Sequence, residues 1–138
     1  MKKVYIDSDV ILDLLQKRKG FFDDAARLFT LLEKGTVRGY VSPLVLANLY
    51  YILRKDNGQK AALESLLRLR MLVKVLAIDE KTTDLALSSA FKDFEDAMQY
   101  YSAVGNSLDC LITRNKKDYK AADIPVYSPR EFLDILEG

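Results

Sequence analysis

Asp7 follows Val4-Tyr5-Ile6, a short β-branched and aromatic run, and Asp9 stands two residues further on. Asp93 and Asp96 are three apart near a helix start, so their side chains can share one face. Asp109 precedes the apolar run Cys110-Leu111-Ile112-Thr113, and Asn115 and Asp118 follow it. Carboxylates that converge at strand ends bind Mg²⁺ or Mn²⁺ through oxygen, and magnesium needs only one or two of them. A cation held there lowers the pKa of a bound water and stabilises charge on a phosphate. The competing reading of an aspartate at a helix start is a cap or a dipole partner, and Asp79 is read that way. Asp7 differs, because an acid between apolar residues at a strand end is costly to bury without a partner.

Composition narrows the chemistry. The 138 residues include one cysteine, Cys110, and no histidine. A disulfide scaffold, a Ser-His-Asp triad, an imidazole base and a His-ligated zinc are therefore excluded within this chain. Carboxylates with a hard metal are the leading way left to activate water. Apolar residues make up 49% and charged residues 30%, enough for a core with a solvated surface. The net charge of +1 means that nucleic-acid binding would need a local patch. No stretch approaches the ~20 apolar residues that span a bilayer, and Met1 to Tyr5 enters a strand at once rather than a signal peptide. A cytoplasmic protein without membrane contact is expected.

The elements that must place these acids follow from periodicity. Val4–Ile6 reads as a buried strand, and Val10, Ile11, Leu14 and Leu15 as a helix closed by Gly20, with Lys17, Arg18 and Lys19 suiting its C-terminal dipole. Ala25 to Leu32 marks a second helix, stopped near Gly35. Gly39-Tyr40-Val41 is a strand, and Ser42-Pro43 opens a helix with Ser42 as N-cap and Pro43 at its first position. That helix runs to Arg54 and is broken by Asn57-Gly58; Ala61 to Met71 is another. Val73–Leu76 is a third strand, followed by a helix from Asp79 to about Phe91 and one from Phe94 to Val104, entered through Asp93. Cys110–Thr113 and Pro125–Tyr127 complete the strands. Ser128-Pro129-Arg130-Glu131 is a capping box that starts the last helix. Strands alternating with helices predict an α/β domain with a mostly parallel central sheet of about five strands. Ligands in such sheets sit beyond the carboxyl ends of the strands, which singles out Asp7, Ser42 and Thr113 to Asn115.

Two families open on a strand followed by an aspartate. Asp7-Ser8-Asp9-Val10 resembles the first motif of haloacid-dehalogenase-type phosphotransferases, but the Gly-Asp of their last motif reads Gly105-Asn106 here, and no convincing lysine motif lies between. The PIN-domain family is resembled over nearly the whole chain. Val4 to Asp13 resembles its opening strand and first acidic position, Ser42 to Leu53 its second, Asp93 to Ala103 its third, and Asp109 to Tyr119 its last strand and fourth. The resemblance implies a three-layer α/β/α domain over residues 1–138. It also implies a Mg²⁺- or Mn²⁺-dependent ribonuclease, often the toxin of a VapC-type toxin–antitoxin pair and often a homodimer. Asp7 matches the first acid and Asp96 the third, and these two would hold the metal. Asn48 and Asn115 stand where acids are usual, and would complete the metal shell or orient water. An amide carbonyl still ligates a hard cation, but brings no negative charge.

Asp93 and Asp118 are candidate auxiliary acids. Arg114, Lys116 and Lys117 flank Asn115 and are candidate contacts to the substrate phosphate, and Thr113 is read as a candidate for substrate binding or for orienting the acidic site. Tyr50, Tyr51, Tyr100 and Tyr101 read as core or dimer packing rather than as a base-stacking surface, and Cys110 as a small core residue. The leading expectation is an endoribonuclease acting on RNA, possibly with a cognate antitoxin. The alternative is a catalytically weakened or inactive PIN-like module that binds RNA or a protein partner.

Overall fold

The computed structural model describes residues 2–138; Met1, where the reading of the N-terminus began, lies outside them. Five strands form one sheet, all pairs parallel, in the order β3-β2-β1-β4-β5. They are β1 (Lys2–Ile6), β2 (Val37–Val41), β3 (Val73–Val75), β4 (Cys110–Ile112) and β5 (Val126–Tyr127). Helices α1 (Ser8–Leu15), α2 (Phe22–Glu33), α3 (Pro43–Asn57), α4 (Gln59–Arg70), α5 (Glu80–Leu87), α6 (Phe94–Gly105) and α7 (Pro129–Glu137) complete a three-layer α/β/α arrangement. A 3-10 turn, Lys116–Tyr119, lies between β4 and β5. Helix α3 packs on α4, α5 on α6, and α2 on both α1 and α7. Among the described residues no helix is long and apolar enough to cross a membrane.

The strand order explains where a ligand can sit. The chain steps from β1 to β2 to β3 on one side, then returns to lay β4 against the other edge of β1. That reversal opens a crevice at the carboxyl ends of β1 and β4, the place where open parallel sheets bind ligands. Register holds the two ends level: Ile6 pairs with Ile112, and the Asp7 amide donates to the Ile112 carbonyl at 3.0 Å. Strand β1 can be central because Val4, Tyr5 and Ile6 are fully buried, as both faces of a covered parallel sheet require. Gly39 lets β2 pass close to α2, since a Cβ there would lie 3.0 Å from the Leu32 side chain and 3.1 Å from that of Ile6.

Two helix ends and one cap differ most from expectation. Helix α1 stops at Leu15, with Gln16 as its C-cap, so Lys17 to Lys19 lie beyond it and do not serve its dipole. The turn that follows needs left-handed backbone at Lys17 and Gly20, which ends the helix earlier than its apolar spacing suggests. Helix α5 stops at Leu87, and Phe91 instead packs on the rings of Tyr100, Tyr101 and Tyr119. Ser42 is the N-cap residue of α3, but its side chain caps nothing. It turns inward to the Tyr5 hydroxyl at 2.8 Å. The capping box at Ser128 and Glu131 is present.

That inward hydroxyl belongs to a buried knot. Tyr5 donates to Gln99 Oε1 at 2.7 Å, so one phenol joins the central strand, the start of α3 and the middle of α6. Ser42 and Gln99 are themselves 0% and 2% exposed, leaving them no water to turn to. Tyr5→Phe should therefore cost about 1–3 kcal/mol, read as a lower thermal midpoint in chelator; an unchanged midpoint would show that the knot contributes nothing.

Candidate active site

Asp7 is the N-cap residue of α1 as well as the first residue past β1. Its Oδ1 accepts from the Ser8 amide at 2.7 Å. Its Oδ2 accepts from the Thr113 hydroxyl at 3.1 Å and the Tyr119 hydroxyl at 3.3 Å. The same Tyr119 hydroxyl lies 3.5 Å from Asp96 Oδ1. A single buried phenol thus sits between the two acids, at the distant end of weak hydrogen bonds to both. Asp93 caps α6 by accepting from the Asp96 amide at 2.9 Å, which fixes the first turn on which Asp96 is carried.

The electrostatics are those of unbalanced negative charge. Burial, then the charge of Asp9, pushes Asp7 up to about 6. Burial, then the charges of Asp93, Asp7, Asp118 and Glu95, pushes Asp96 up to about 7. Asp9 is raised as well, mainly by burial, although the Arg114 amide donates to its Oδ2 at 3.0 Å. Burial and both acids hold the Tyr119 phenol far above its ordinary range, so it stays a neutral donor. No lysine or arginine pairs with Asp7, Asp9, Glu95 or Asp96 among the described residues.

This donor set suits a hard divalent cation. Every candidate atom is an oxygen, and no imidazole or thiolate is near to select a softer metal. Asp9 Oδ1 is buried without a formed hydrogen bond, a second sign of charge in want of a partner. Among the described residues no three acidic side chains already surround a common point. The arrangement is thus no closed calcium cage; it matches the one or two carboxylates that magnesium takes while keeping its waters.

The other expected residues are distributed around this pair. Among the described residues Asn48 makes no hydrogen bond to Asp7 or Asp96; its amide donates to Glu95 Oε1. Asn115 donates from Nδ2 to Asp9 Oδ2 at 3.2 Å. Each amide thus holds a carboxylate from another part of the chain. Thr113 is fully buried and bonds Asp7 and Asp9, so it orients acids and is not open to substrate. Arg114 forks onto buried Asp13 at 2.7 and 3.0 Å, its guanidinium 3.9 Å from the centre of the Phe21 ring. Lys116 pairs with both Glu131 oxygens at 2.9 Å. Neither cation is available to a phosphate without breaking those pairs. Asp93, Asp96 and Asp118 instead line a cleft of about 300 Å³ with Lys92, Lys117 and Lys120. Residue spacing gave no sign of Tyr119, Lys92 or Lys120 as neighbours of the acids; Lys117 was legible from its place beside Asn115, and Glu95 only from its place directly before Asp96.

Known proteins supply the comparison. Residues 3–117 match the PIN domain family model. The chain is 25% identical over 138 residues to Ribonuclease VapC1 of Aquifex aeolicus, covering 96% of this chain and 94% of that protein. Among solved structures, it resembles a toxin–antitoxin complex from Klebsiella pneumoniae with 22% identity and a TM-score of 0.68, covering 91% of this chain and 97% of the other. It resembles DNA-bound VapBC from Salmonella typhimurium with 17% identity and a TM-score of 0.69, covering 94% and 99%.

The raised acids set a sign for stability. A carboxyl with a folded pKa above its unfolded value stabilises fully below the unfolded value, and that stability is lost as pH rises through the folded pKa. For Asp7 the window runs from the ordinary 3.8 to about 6. In chelator, Asp7→Asn should raise the thermal midpoint at pH 8 by roughly 10 °C, on the scale of a two-unit shift. The gap should close as pH falls towards 4. A variant less stable than wild type at pH 8 would contradict the charge account.

Proposed function

Because this chain belongs to the PIN-domain family, we propose that it is a metal-dependent endoribonuclease working with Mg²⁺ or Mn²⁺ at Asp7 and Asp96. The observation that carries the reading is the approach of these two unpaired carboxylates to one hydroxyl at the sheet crevice. Asp7 and Asp96 would hold a divalent cation, which would supply the water activation and charge neutralisation that phosphodiester hydrolysis needs. The chain's own residues do the rest. Ser8 and Thr113 aim Asp7, Asp93 fixes the turn that presents Asp96, and neutral Tyr119 keeps the two acids apart without adding charge. Asn48 and Asn115 act at one remove, through Glu95 and Asp9.

A toxin role with a cognate antitoxin is supported by the relatives, which include a ribonuclease and toxin–antitoxin complexes. Tyr51 on α3, Leu63 and Leu67 on α4, and Met71 just beyond are exposed apolar residues that a protein partner would cover. A homodimer is part of the same reading. The second reading, an inactive module that binds RNA or protein, is favoured by the neutral amides at Asn48 and Asn115.

Purified protein should cleave RNA with Mn²⁺ or Mg²⁺, and both chelator and Asp7→Asn should reduce cleavage to background. Cleavage at the wild-type rate in that variant would sink the assignment, and RNA binding without any cleavage would favour the module. Substrate grip falls to Lys92, Lys117 and Lys120, which line the cleft and enter no ion pair among the described residues. Lys117→Ala with Lys120→Ala should flatten the slope of log affinity against log salt by about 0.7 per lysine for single-stranded RNA. Lys116→Ala should leave that slope unchanged; the reverse pattern would return the role to Lys116.

A further inference from the structure

We infer that the cleft beside Asp96 takes one unpaired base of a single-stranded RNA, stacked on the ring of Phe91. The inference rests on the reading of that cleft as the path of the RNA and deepens it. Phe91 and Asp96 line the same cleft of about 300 Å³ with Lys92, Lys117 and Lys120. That size is at the lower end of ligand pockets, about 300–1,000 Å³, and suits one base rather than a duplex. Among the described residues Phe91 is the only aromatic ring in the lining. The ring is held in place from behind. It packs on Tyr100 with centroids 5.0 Å apart, and meets Tyr101 and Tyr119 edge-to-face at 6.3 and 6.1 Å. Phe91 is nevertheless only partly buried, so the three tyrosines leave apolar surface uncovered in a cleft otherwise lined mainly by charge.

The charges decide what can fill the space. Lys92, Lys117 and Lys120 enter no ion pair among the described residues, but Asp93, Asp96 and Asp118 share the lining with them. A phosphate set among three carboxylates is repelled. An uncharged base is not, and its flanking phosphates are left to the long lysine side chains. A basic groove with an aromatic platform is the general device for holding single strands, because every base has a face to stack. A base inside a duplex has both faces covered by its neighbours and cannot offer one to Phe91. Tyr119, edge-on to Phe91, carries the hydroxyl between Asp7 and Asp96. A base stacked on Phe91 therefore brings its nucleotide beside the two acids.

Fluorescence anisotropy of end-labelled RNA oligonucleotides with the full chain, in chelator so that no strand is cut, tests this. Phe91→Leu keeps an apolar side chain against the tyrosines and removes the stacking face. It should weaken single-strand binding about 10-fold and leave duplex binding unchanged, while Phe91→Tyr binds like wild type. On a strand of the same length made of abasic ribose phosphates, wild type and Phe91→Leu should bind alike. If Phe91→Leu binds the base-bearing strand like wild type while wild type cleaves RNA with Mn²⁺, the inference fails and the nuclease reading stands. If the variant loses the same factor on the abasic strand, the ring only shapes the lysine surface and the inference fails. A lower thermal midpoint in Phe91→Leu leaves the wild-type comparison to decide: equal affinity for the two strands overturns the stacking site, and a base-dependent gain supports it. If Phe91→Leu loses base-dependent binding and wild type cuts nothing with Mn²⁺, the stacking site stands and the nuclease reading falls. If wild type binds no RNA, both fall.

Discussion

The architecture turns on negative charge held without a counterion at the mouth of a buried strand. The last three residues of β1 are fully buried, so the next residue that can carry charge is the one that leaves the strand, Asp7. The surrounding groups stabilise that charge without cancelling it. A backbone amide, a buried threonine hydroxyl and a buried phenol all donate to Asp7, and none is cationic. Arg114, whose amide donates to Asp9, has its guanidinium drawn away by Asp13, whose 1% exposure makes it a demanding partner. Function and stability therefore pull in opposite directions at the crevice, a common arrangement where a site awaits a ligand.

Much of this was legible in the residues. Short apolar runs located all five strands, most clearly the end of β1 and β4, where burial on both faces leaves little room for polar residues. Strand-end logic found Asp7, and three-residue spacing on a helix start linked Asp93 to Asp96, one as cap and one as presented acid. Illegible were contacts set by topology rather than spacing. Asn48 meets Glu95 across 47 residues and Arg114 meets Asp13 across 101. Neither pair has a local signature, so Arg114 and Lys116 read as free cations when both are engaged. Ser42 shows a related limit. Its place before proline predicts an N-cap, and it is one by backbone, but a buried tyrosine offered its hydroxyl a better partner.

Family membership and geometry constrain different things. The PIN domain match and the three-layer fold establish the scaffold. Whether the scaffold cuts RNA depends on the charge that reaches the crevice, and counting acids at fixed positions is a poor guide to that. Two amides in this chain each hold a carboxylate from elsewhere: Asn48 holds Glu95, and Asn115 holds Asp9.

The capping box of α7 has a reach beyond its own helix. Glu131 Oε1 accepts from the Ser128 amide, and the same carboxylate takes both bonds of Lys116 at the start of the 3-10 turn. That turn carries Asp118 to the cleft and Tyr119 to the two acids. The last helix is thus a mechanical strut for a site that it does not line. Cargo fused behind it, or trimming that frays it, would be felt as slack between Asp7 and Asp96, so the C-terminus is the wrong end of this molecule on which to hang a tag.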